Sequence, residues 1–392
     1  MDVILTIGSE LSANSQGVQV AGQARSRIKG HCNPKANWVR KFHYAEKAWQ
    51  CKEHGIGRIR ANERIWFQMV AGTTQTNNES KQMIMKAMRI HQYGGPEVLA
   101  QVEMQRPAPG VNEVLIKVHA ASVNPFDWKA RAGYVKEFFP LTFPATLGSD
   151  VSGTVEEIGS GVARFKRGDE VYASLGLEGG GYAEYAVAKE AIVAEKPGTL
   201  DHVQAAAVPT GGITAWQALF EVAQLRAGQK VLIHAAAGGV GNFAVQFAKA
   251  KGAYVIGTAS SRNQAFLVEL GVDKAVDYQK TRFEDVVHEA DVVLDTIGGD
   301  TQERSFKALK KGGILVSIVQ PPSQELATKY GVRALFYGGH PSSSNLAEIA
   351  KLIDAGKVKT VVETVLPLEE APRAHELSQS GHVRGKIVLK VA

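Results

Sequence analysis

A glycine turn is the clearest chemical feature of the sequence. The apolar run 231–234 predicts a buried strand, and the apolar stripe within 243–248 predicts an amphipathic helix. Between them lie Ala237, Gly238, Gly239, Val240 and Gly241. A strand, a glycine turn and a helix in this order are typical of a dinucleotide site, because the helix N-terminus offers free N–H groups and partial positive charge to a pyrophosphate. Ala236 stands where the usual motif has its first glycine, so a turn without a ligand is the alternative.

The residues after the next strand indicate which dinucleotide is bound. An acidic residue there would hydrogen-bond the ribose 2′-hydroxyl of NAD, but the segment 257–262 contains no carboxylate. Ser260 and Arg262 can donate to a 2′-phosphate, and Tyr278 at the end of the third strand is a further candidate contact. The sequence therefore predicts NADPH, although Arg262 could instead be a solvated residue at a helix start.

The surrounding pattern predicts a mixed α/β chain. Residues 86–209 consist of short strands broken by turns, such as 113–118 and 181–187, which is typical of a β-barrel domain. Residues 210–356 alternate strands with helices, which predicts a doubly wound parallel sheet, and 357–392 return to the first domain. The six strands expected in that sheet are 231–234, 254–258, 275–278, 292–295, 314–318 and 332–337, with a helix near 346–352.

The first 85 residues differ from the rest. They lack a periodic pattern and carry the whole formal charge of +6, so the remaining chain is neutral and a nucleic-acid partner is not expected. We interpret them as a disordered extension or as a start site placed too early. Their acidic residues argue against a cleaved targeting segment, and the spacing of His31, Cys32, Cys51 and His54 fits no standard zinc pattern. No run is long and apolar enough for a membrane helix, so we expect a cytoplasmic protein.

Six segments in order along residues 86–392 give the chain a family resemblance: 121–127, 147–153, 168–171, 214–216, 236–241 and 384–388. It resembles the medium-chain dehydrogenase/reductase superfamily, in its zinc-independent quinone oxidoreductase branch. The resemblance implies a GroES-like β-barrel catalytic domain joined to a Rossmann domain, with the active site between them. Zinc-dependent relatives carry a cysteine where this chain has Asn124, and Gly-His-Glu where it has 148–150, so no metal is expected.

The resemblance also suggests the reaction and its residues. Without a metal, the accessible acceptors are those already activated by conjugation, a quinone or an α,β-unsaturated carbonyl. Asn124 is expected to donate to the substrate carbonyl, or only to shape its Asn-Pro turn. Asp127 could fix that loop or be an exposed turn carboxylate, and Tyr134 could donate a proton or line the pocket. Thr214 is expected to contact the nicotinamide end, or only to pack as a β-branched residue. Ser317, Ile318 and Val319 are expected to border the nicotinamide, because ligands bind at the carboxyl ends of the strands in open sheets.

Two other functions stay open. An enoyl-thioester reductase would need a longer groove and basic residues, and a regulatory protein could bind NADPH without turnover. The resemblance also allows a homodimer.

Overall fold

The computed structural model of the chain describes residues 83–392. The prediction for residues 1–85 therefore falls almost wholly outside the described residues, as do His31, Cys32, Cys51 and His54. The strands are β1 Ile84–Ile90, β2 Ala100–Gln105, β3 Glu113–Val123, β4 Ala145–Thr146, β5 Asp150–Ile158, β6 Glu170–Ser174, β7 Tyr185–Lys189, β8 Val193–Glu195, β9 Lys230–Ile233, β10 Tyr254–Ala259, β11 Lys274–Asp277, β12 Ala290–Asp295, β13 Leu309–Ser317, β14 Arg333–Phe336, β15 Val362–Pro367 and β16 Lys386–Lys390.

Helices lie mostly between the later strands. They are α1 Pro125–Arg131, α2 His202–Ala206, α3 Pro209–Trp216, α4 Gly241–Ala250, α5 Gln264–Glu269, α6 Phe283–Val286, α7 Gly299–Ser305, α8 Gln324–Tyr330, α9 Ser343–Asp354 and α10 Ala371–Gln379, with α3 continued by a π-helical turn, Gln217–Val222. Short 3₁₀ turns occur at Pro96–Val98, Gly176–Glu178, Glu190–Ile192, Ser261–Asn263, Phe306–Ala308 and Leu368–Glu370. Within residues 83–392, none of the helices combines the length and apolar character needed to cross a membrane.

The later strands form one parallel sheet of six, in the order β11-β10-β9-β12-β13-β14. Numbered along this sheet the order is 3-2-1-4-5-6, the arrangement of a dinucleotide-binding fold. All six predicted strands are present, so the predicted α/β fold class is confirmed. Strand β13 begins five residues earlier than expected, because the glycine-containing stretch from Leu309 also pairs, across a register shift, with Ala290 of β12.

Strands β1 to β8 and the last two strands, β15 and β16, form two mostly antiparallel sheets. The larger has the order β15-β16-β3-β5-β6-β8, with β7 also paired to β3, and the smaller has the order β2-β1-β4. Strand β16 runs antiparallel to β3, with Ile387 opposite Val123, which brings the end of the chain beside the loop that follows β3. Two expectations are corrected. Strand β1 begins at Ile84, inside the segment assigned to the extension, and the run 181–187 enters a strand only at Tyr185, because Gly181 and Tyr182 donate instead to Gly148 and Leu147.

Candidate active site

The glycine turn leaves backbone donors free at the N-terminus of α4. Ala235 has a positive φ of 43°, and the chain then turns tightly enough that a Cβ on Gly241 would lie 2.2 Å from the Ala235 carbonyl oxygen. The N–H groups of Gly239, Val240 and Gly241 donate to no acceptor within residues 83–392. Three such donors at the N-terminus of a ten-residue helix fit a pyrophosphate. The predicted strand, turn and helix are all present.

The residues predicted to contact a 2′-phosphate lie just after the carboxyl ends of β10 and β11. Ser260 is half-buried directly after β10, and Tyr278 is exposed, with its N–H donating to the Ala259 carbonyl at 3.2 Å. Arg262 is exposed and its guanidinium donates to the carbonyl oxygen of His382. The structure also places the Asp277 carboxylate here, where it accepts from the Ser261 hydroxyl. Asp277 is the last residue of β11, the strand next to β10. Its position at the carboxyl end of a predicted strand is the feature from which its place at this edge could have been predicted.

The loop after β3 holds a buried carboxyl group. Asn124 precedes α1, and its backbone N–H donates to Asp127 Oδ2 at 2.8 Å. Asp127 is 2% exposed, so the interpretation of this residue as an exposed turn carboxylate is wrong. Its Oδ2 also accepts from the Tyr182 hydroxyl at 2.9 Å, and its Oδ1 accepts from Ser149 Oγ at 3.2 Å. Burial raises the pKa of Asp127 to about 6, because the charged form is desolvated.

The side chain of Asn124 is part of a second buried cluster. Its Nδ2 donates to Asp150 Oδ2 at 2.9 Å, and its Oδ1 accepts from Lys386 Nζ at 2.5 Å. Lys386 Nζ is also 3.4 Å from Asp150 Oδ2, and both side chains are almost fully buried. One hydrogen of the Asn124 amide is left for another acceptor, so its contact with a substrate carbonyl stays a prediction.

Asp150 is the most heavily bonded group of this cluster. Besides Asn124 and Lys386, it accepts from Ser122 Oγ at 2.8 Å and from the N–H and hydroxyl of Thr210 at 2.9 and 2.5 Å. Neither Asp150 nor Lys386 was predicted as a site residue, although both lie in segments that carry the family resemblance. A lysine does begin the otherwise apolar run 386–389, but a solvated strand end has the same pattern, so the sequence offered no specific signal.

Lys386 connects this cluster to the glycine turn. A Cβ on Gly239 would lie 3.1 Å from Lys386 Cδ, and the N–H of the preceding Gly385 donates to the Ala237 carbonyl at 2.8 Å. The backbone just before β16 thus contacts the glycine turn, while the side chain of Lys386, the first residue of β16, reaches Asn124.

The remaining predicted residues occupy different surroundings. Thr214 is 8% exposed on α3, and a Cβ on Gly339 would lie 2.5 Å from its hydroxyl. Ser317, Ile318 and Val319 lie at the carboxyl end of β13, where Ser317 Oγ donates to Asp295 at 2.8 Å. Tyr134 is 74% exposed and edge-on to Trp128, so the structure does not bring it to Asn124 or Asp127.

A cavity of about 630 Å³ opens beside Asp127 and Ser149. Its walls are mainly apolar, from side chains that include Phe126, Phe139, Leu141 and Leu147, and no lysine, arginine or histidine lines it. Phe138 and Leu177 at its edge are exposed. Within residues 83–392 no three His, Cys, Asp or Glu side chains are grouped closely enough to hold a metal ion.

The fold and site together define a class: a Rossmann sheet with a glycine turn, joined to an antiparallel domain whose buried polar residues approach that turn. Two family profiles match the chain: an alcohol dehydrogenase GroES-like domain over residues 110–198 and a zinc-binding dehydrogenase over residues 270–389. The chain belongs to the medium-chain dehydrogenase/reductase superfamily as a quinone-oxidoreductase-like member, which confirms the resemblance. At this level it is an oxidoreductase of the nicotinamide-dependent type.

Individual relatives support this assignment. The chain is 36% identical over 333 residues to a chloroplast envelope quinone oxidoreductase homolog of Arabidopsis thaliana, covering 78% of this chain and 98% of the relative. It is 36% identical over 354 residues to the human mitochondrial NAD(P)H oxidoreductase RTN4IP1, covering 79% and 89%. Among solved structures, the quinone oxidoreductase from Coxiella burnetii has a TM-score of 0.74 at 39% identity, covering 79% and 100%. The Escherichia coli quinone oxidoreductase complexed with NADPH has a TM-score of 0.72 at 29% identity, covering 78% and 100%.

Proposed function

We propose that this protein reduces a quinone or an α,β-unsaturated carbonyl with hydride from NADPH and without a metal ion. The observation that carries the proposal is the junction at Gly385 and Lys386. This segment contacts the glycine turn at Ala237 and Gly239. Its lysine ammonium donates a hydrogen bond to the side-chain oxygen of Asn124. A dinucleotide on the turn and a substrate beside Asn124 would therefore be held by one continuous set of contacts.

The preference for NADPH over NADH rests on the edge beyond β10. Ser260, Arg262 and Tyr278 offer hydroxyl and guanidinium donors, and an exposed arginine can form a charge-assisted bond to a phosphate. Asp277 opposes this preference, but its carboxylate already accepts from Ser261 and is 3.6 Å from Lys280. The bound NADPH named for the Escherichia coli relative supports the same choice.

The groups at the positions of the zinc ligands do not suit zinc. In zinc-dependent relatives the positions of Asn124 and of Ser149 with Asp150 supply ligands. Here Asn124 and Asp150 both contact the ammonium of Lys386, Ser149 donates to Asp127, and Asp150 accepts hydrogen bonds on both carboxylate oxygens. A divalent cation among these groups would be repelled by the buried lysine and would have to displace several donors.

The chain's own residues would bind and orient the reactants. When bound, the reduced dinucleotide supplies the hydride. The N–H groups of Gly239, Val240 and Gly241 would hold its pyrophosphate, and Thr214 with Ser317, Ile318 and Val319 would border its reactive end. The apolar cavity would orient the acceptor. Asn124 is not among the residues that line this cavity, and the free hydrogen of its Nδ2 would donate to an acceptor carbonyl oxygen that extends beyond it.

The cavity weighs against an enoyl-thioester reductase, because its lining carries no cation for a phosphorylated carrier. A regulatory protein that binds NADPH without turnover stays the other alternative. We also propose that residues 86–209 with 357–392 form the catalytic domain and that 210–356 form the NADP-binding domain. A homodimer and a cytoplasmic location stay predictions, the latter because relatives carry chloroplast and mitochondrial names.

The decisive test is oxidation of NADPH, labelled with deuterium at the nicotinamide C4, by quinones, alkenals and enoyl thioesters. We expect deuterium at the β-carbon of the reduced alkenal. With a quinone, whose hydroquinone O–H hydrogens exchange with water, we expect slower oxidation of the deuterated than of the unlabelled NADPH. We also expect no requirement for added zinc and slower reaction with NADH. Tight NADPH binding without transfer to any acceptor would favour the regulatory alternative. Preferred reduction of thioesters, or activity lost on chelation and restored by zinc, would contradict the proposal.

A further inference from the structure

Four buried residues form one chain of hydrogen bonds that ends at the candidate active site. Arg131 Nη1 lies 3.3 Å from His375 Nδ1, His375 Nε2 lies 3.2 Å from the Tyr182 hydroxyl, and that hydroxyl lies 2.9 Å from Asp127 Oδ2. None of the four is more than 2% exposed. Arg131 and Asp127 are one turn apart on α1, whereas His375 lies on α10, so the chain closes a loop between two helices.

The direction of every bond in this chain follows from its first member. An arginine guanidinium can only donate, so His375 must accept at Nδ1 and, as a neutral ring, carry its hydrogen at Nε2. Burial beside Arg131 keeps the ring neutral by lowering the pKa of His375 to about 3. The Nε2 hydrogen then points at the Tyr182 oxygen, and the Tyr182 hydroxyl is left to donate to Asp127 Oδ2.

These directions decide which oxygen of Asp127 can hold a proton. Oδ2 already accepts from the Tyr182 hydroxyl and from the Asn124 N–H at 2.8 Å, which occupies both of its lone pairs. Oδ1 has one partner, Ser149 Oγ at 3.2 Å, whose hydroxyl can reverse and accept. A proton on Asp127 therefore lies on Oδ1, toward Ser149, and both residues line the apolar cavity.

We propose that Asp127 is the proton donor to the reduced substrate and that Arg131, His375 and Tyr182 are positioning residues that keep its proton on Oδ1. This inference rests on the proposed function. As hydride reaches the acceptor, its carbonyl oxygen becomes an oxyanion. The Oδ1–H bond breaks, an O–H bond forms on that oxygen directly or through the Ser149 hydroxyl, and Asp127 is left as a carboxylate. A proton from solvent in the open cavity restores the acid, so each turnover consumes one hydride and one proton.

The surroundings of Asp127 suit this role. Burial and the negative charge of Asp150 raise its pKa, while the Asn124 N–H, the Tyr182 hydroxyl and the Lys386 ammonium lower it, and the result is a pKa of about 6. A carboxylic acid in this range is partly protonated near neutral pH, as general acid catalysis requires. Because the protonated form is the active one, kcat should fall as pH rises through this pKa.

The test uses the full chain with saturating NADPH and one quinone, comparing Asp127→Asn with the wild type. Asparagine can keep all three contacts, since its oxygen accepts from Asn124 and Tyr182 and its amide donates to Ser149, but it has no labile proton. We expect kcat to fall by roughly 10² to 10⁴, the usual contribution of general acid catalysis. The fall of kcat with rising pH should disappear, and NADPH binding should stay within about threefold, well under the tenfold of 1.4 kcal/mol. The control is Asp300→Asn, which changes an exposed carboxylate on α7, a helix that follows strand β12 of the parallel sheet. This variant should keep the wild-type kcat and its pH dependence.

Tyr182→Phe supplies the second arm. Loss of its hydroxyl removes a donor that lowers the pKa of Asp127, so the fall of kcat should move to higher pH while the maximal kcat decreases. An Asp127→Asn protein that keeps wild-type kcat or its pH dependence overturns the inference, and so does an unshifted profile in Tyr182→Phe. If the wild type itself transfers no hydride, the proposed function fails instead. The wild-type activity therefore tells the two failures apart.

Discussion

Replacing Lys386 by methionine tests the cluster that joins the nucleotide turn to the Asn-Pro loop. Methionine fills the same buried space without the ammonium, which leaves the fully buried Asp150 carboxylate without a cation. Breaking a buried ion pair by removing one partner costs about 3–5 kcal/mol. We expect the lower limit, about 3 kcal/mol, because Asp150 keeps its bonds from Ser122, Asn124 and Thr210.

The expected loss converts into a measurable change of melting temperature. Unfolding entropies are about 2.1 cal/mol/K per residue, so for the 310 residues from 83 to 392 a loss of 3 kcal/mol lowers Tm by roughly 5 °C. Thermal unfolding followed by circular dichroism, at one protein concentration and with and without NADPH, measures this change.

The double variant Lys386→Met with Asp150→Asn separates charge from shape. It removes both charges and keeps an amide that can still accept from Thr210, so we expect it to regain more than half of the lost stability. The two substitutions are then strongly non-additive, as expected for groups in direct contact. A single variant that melts within about 1 °C of the wild type, or a double variant that loses as much as the sum of the two single ones, would refute the assignment of a buried charge pair.

Three further predictions concern the cofactor site and the buried histidine. Arg262→Ala should weaken NADPH binding about tenfold and leave NADH binding unchanged, since a charge-assisted hydrogen bond contributes about 1.5–3 kcal/mol; equal effects on both, measured by fluorescence titration, would remove Arg262 from the phosphate site. Gly238→Ala should weaken NADPH binding with little change of Tm, because the added Cβ would meet only one atom, at 3.2 Å. Gly241→Ala should also lower Tm, because the added Cβ would meet backbone atoms at 2.2 to 2.9 Å. His375→Gln should reduce acid sensitivity: the folded pKa of about 3 lies below the unfolded 6.5, so the wild type loses stability as pH falls from 6.5 toward 3, by up to about 1.4 kcal/mol per pH unit. Urea unfolding at several pH values measures that slope, and an unchanged slope in the variant contradicts it.

Local patterns predicted the elements of the fold and the nucleotide turn. The six apolar runs of the parallel sheet each carry their own signal, and the turn at 237–241 is contiguous, so no distant contact is needed to recognise either. Burial of Asp127 was not predictable in this way, because a carboxylate after Asn-Pro also suits an exposed turn. In the fold it is covered by groups distant in sequence, among them Tyr182, 55 positions away, whose hydroxyl donates to it.

The polar clusters themselves depend on partners that are far apart in the sequence. Lys386 and Asp150 are separated by 236 positions, and Arg131 and His375 by 244. Nothing within a window of neighbouring residues distinguishes Lys386 from a solvated strand end, or Arg131 from the basic last turn of a short helix. Only the pairing of β16 with β3 and the packing of α10 on α1 bring these groups together.

The cost of burying these groups argues that they serve the site more than the stability of the fold. Well-packed apolar side chains in place of a buried ion pair are often as stable or more so, so stability alone does not explain Lys386 and Asp150. What the pair does provide is direction. Lys386 holds the oxygen of Asn124 and Asp150 holds its amide nitrogen, so the remaining amide hydrogen has one orientation. In the same way Arg131 sets the tautomer of His375 and, through Tyr182, the oxygen of Asp127 that is left for a proton. Each cluster thus uses a fixed buried charge to set the position of one hydrogen, on the Asn124 amide or on Asp127 Oδ1, and of these two residues Asp127 lines the cavity. Apolar replacements could not do this.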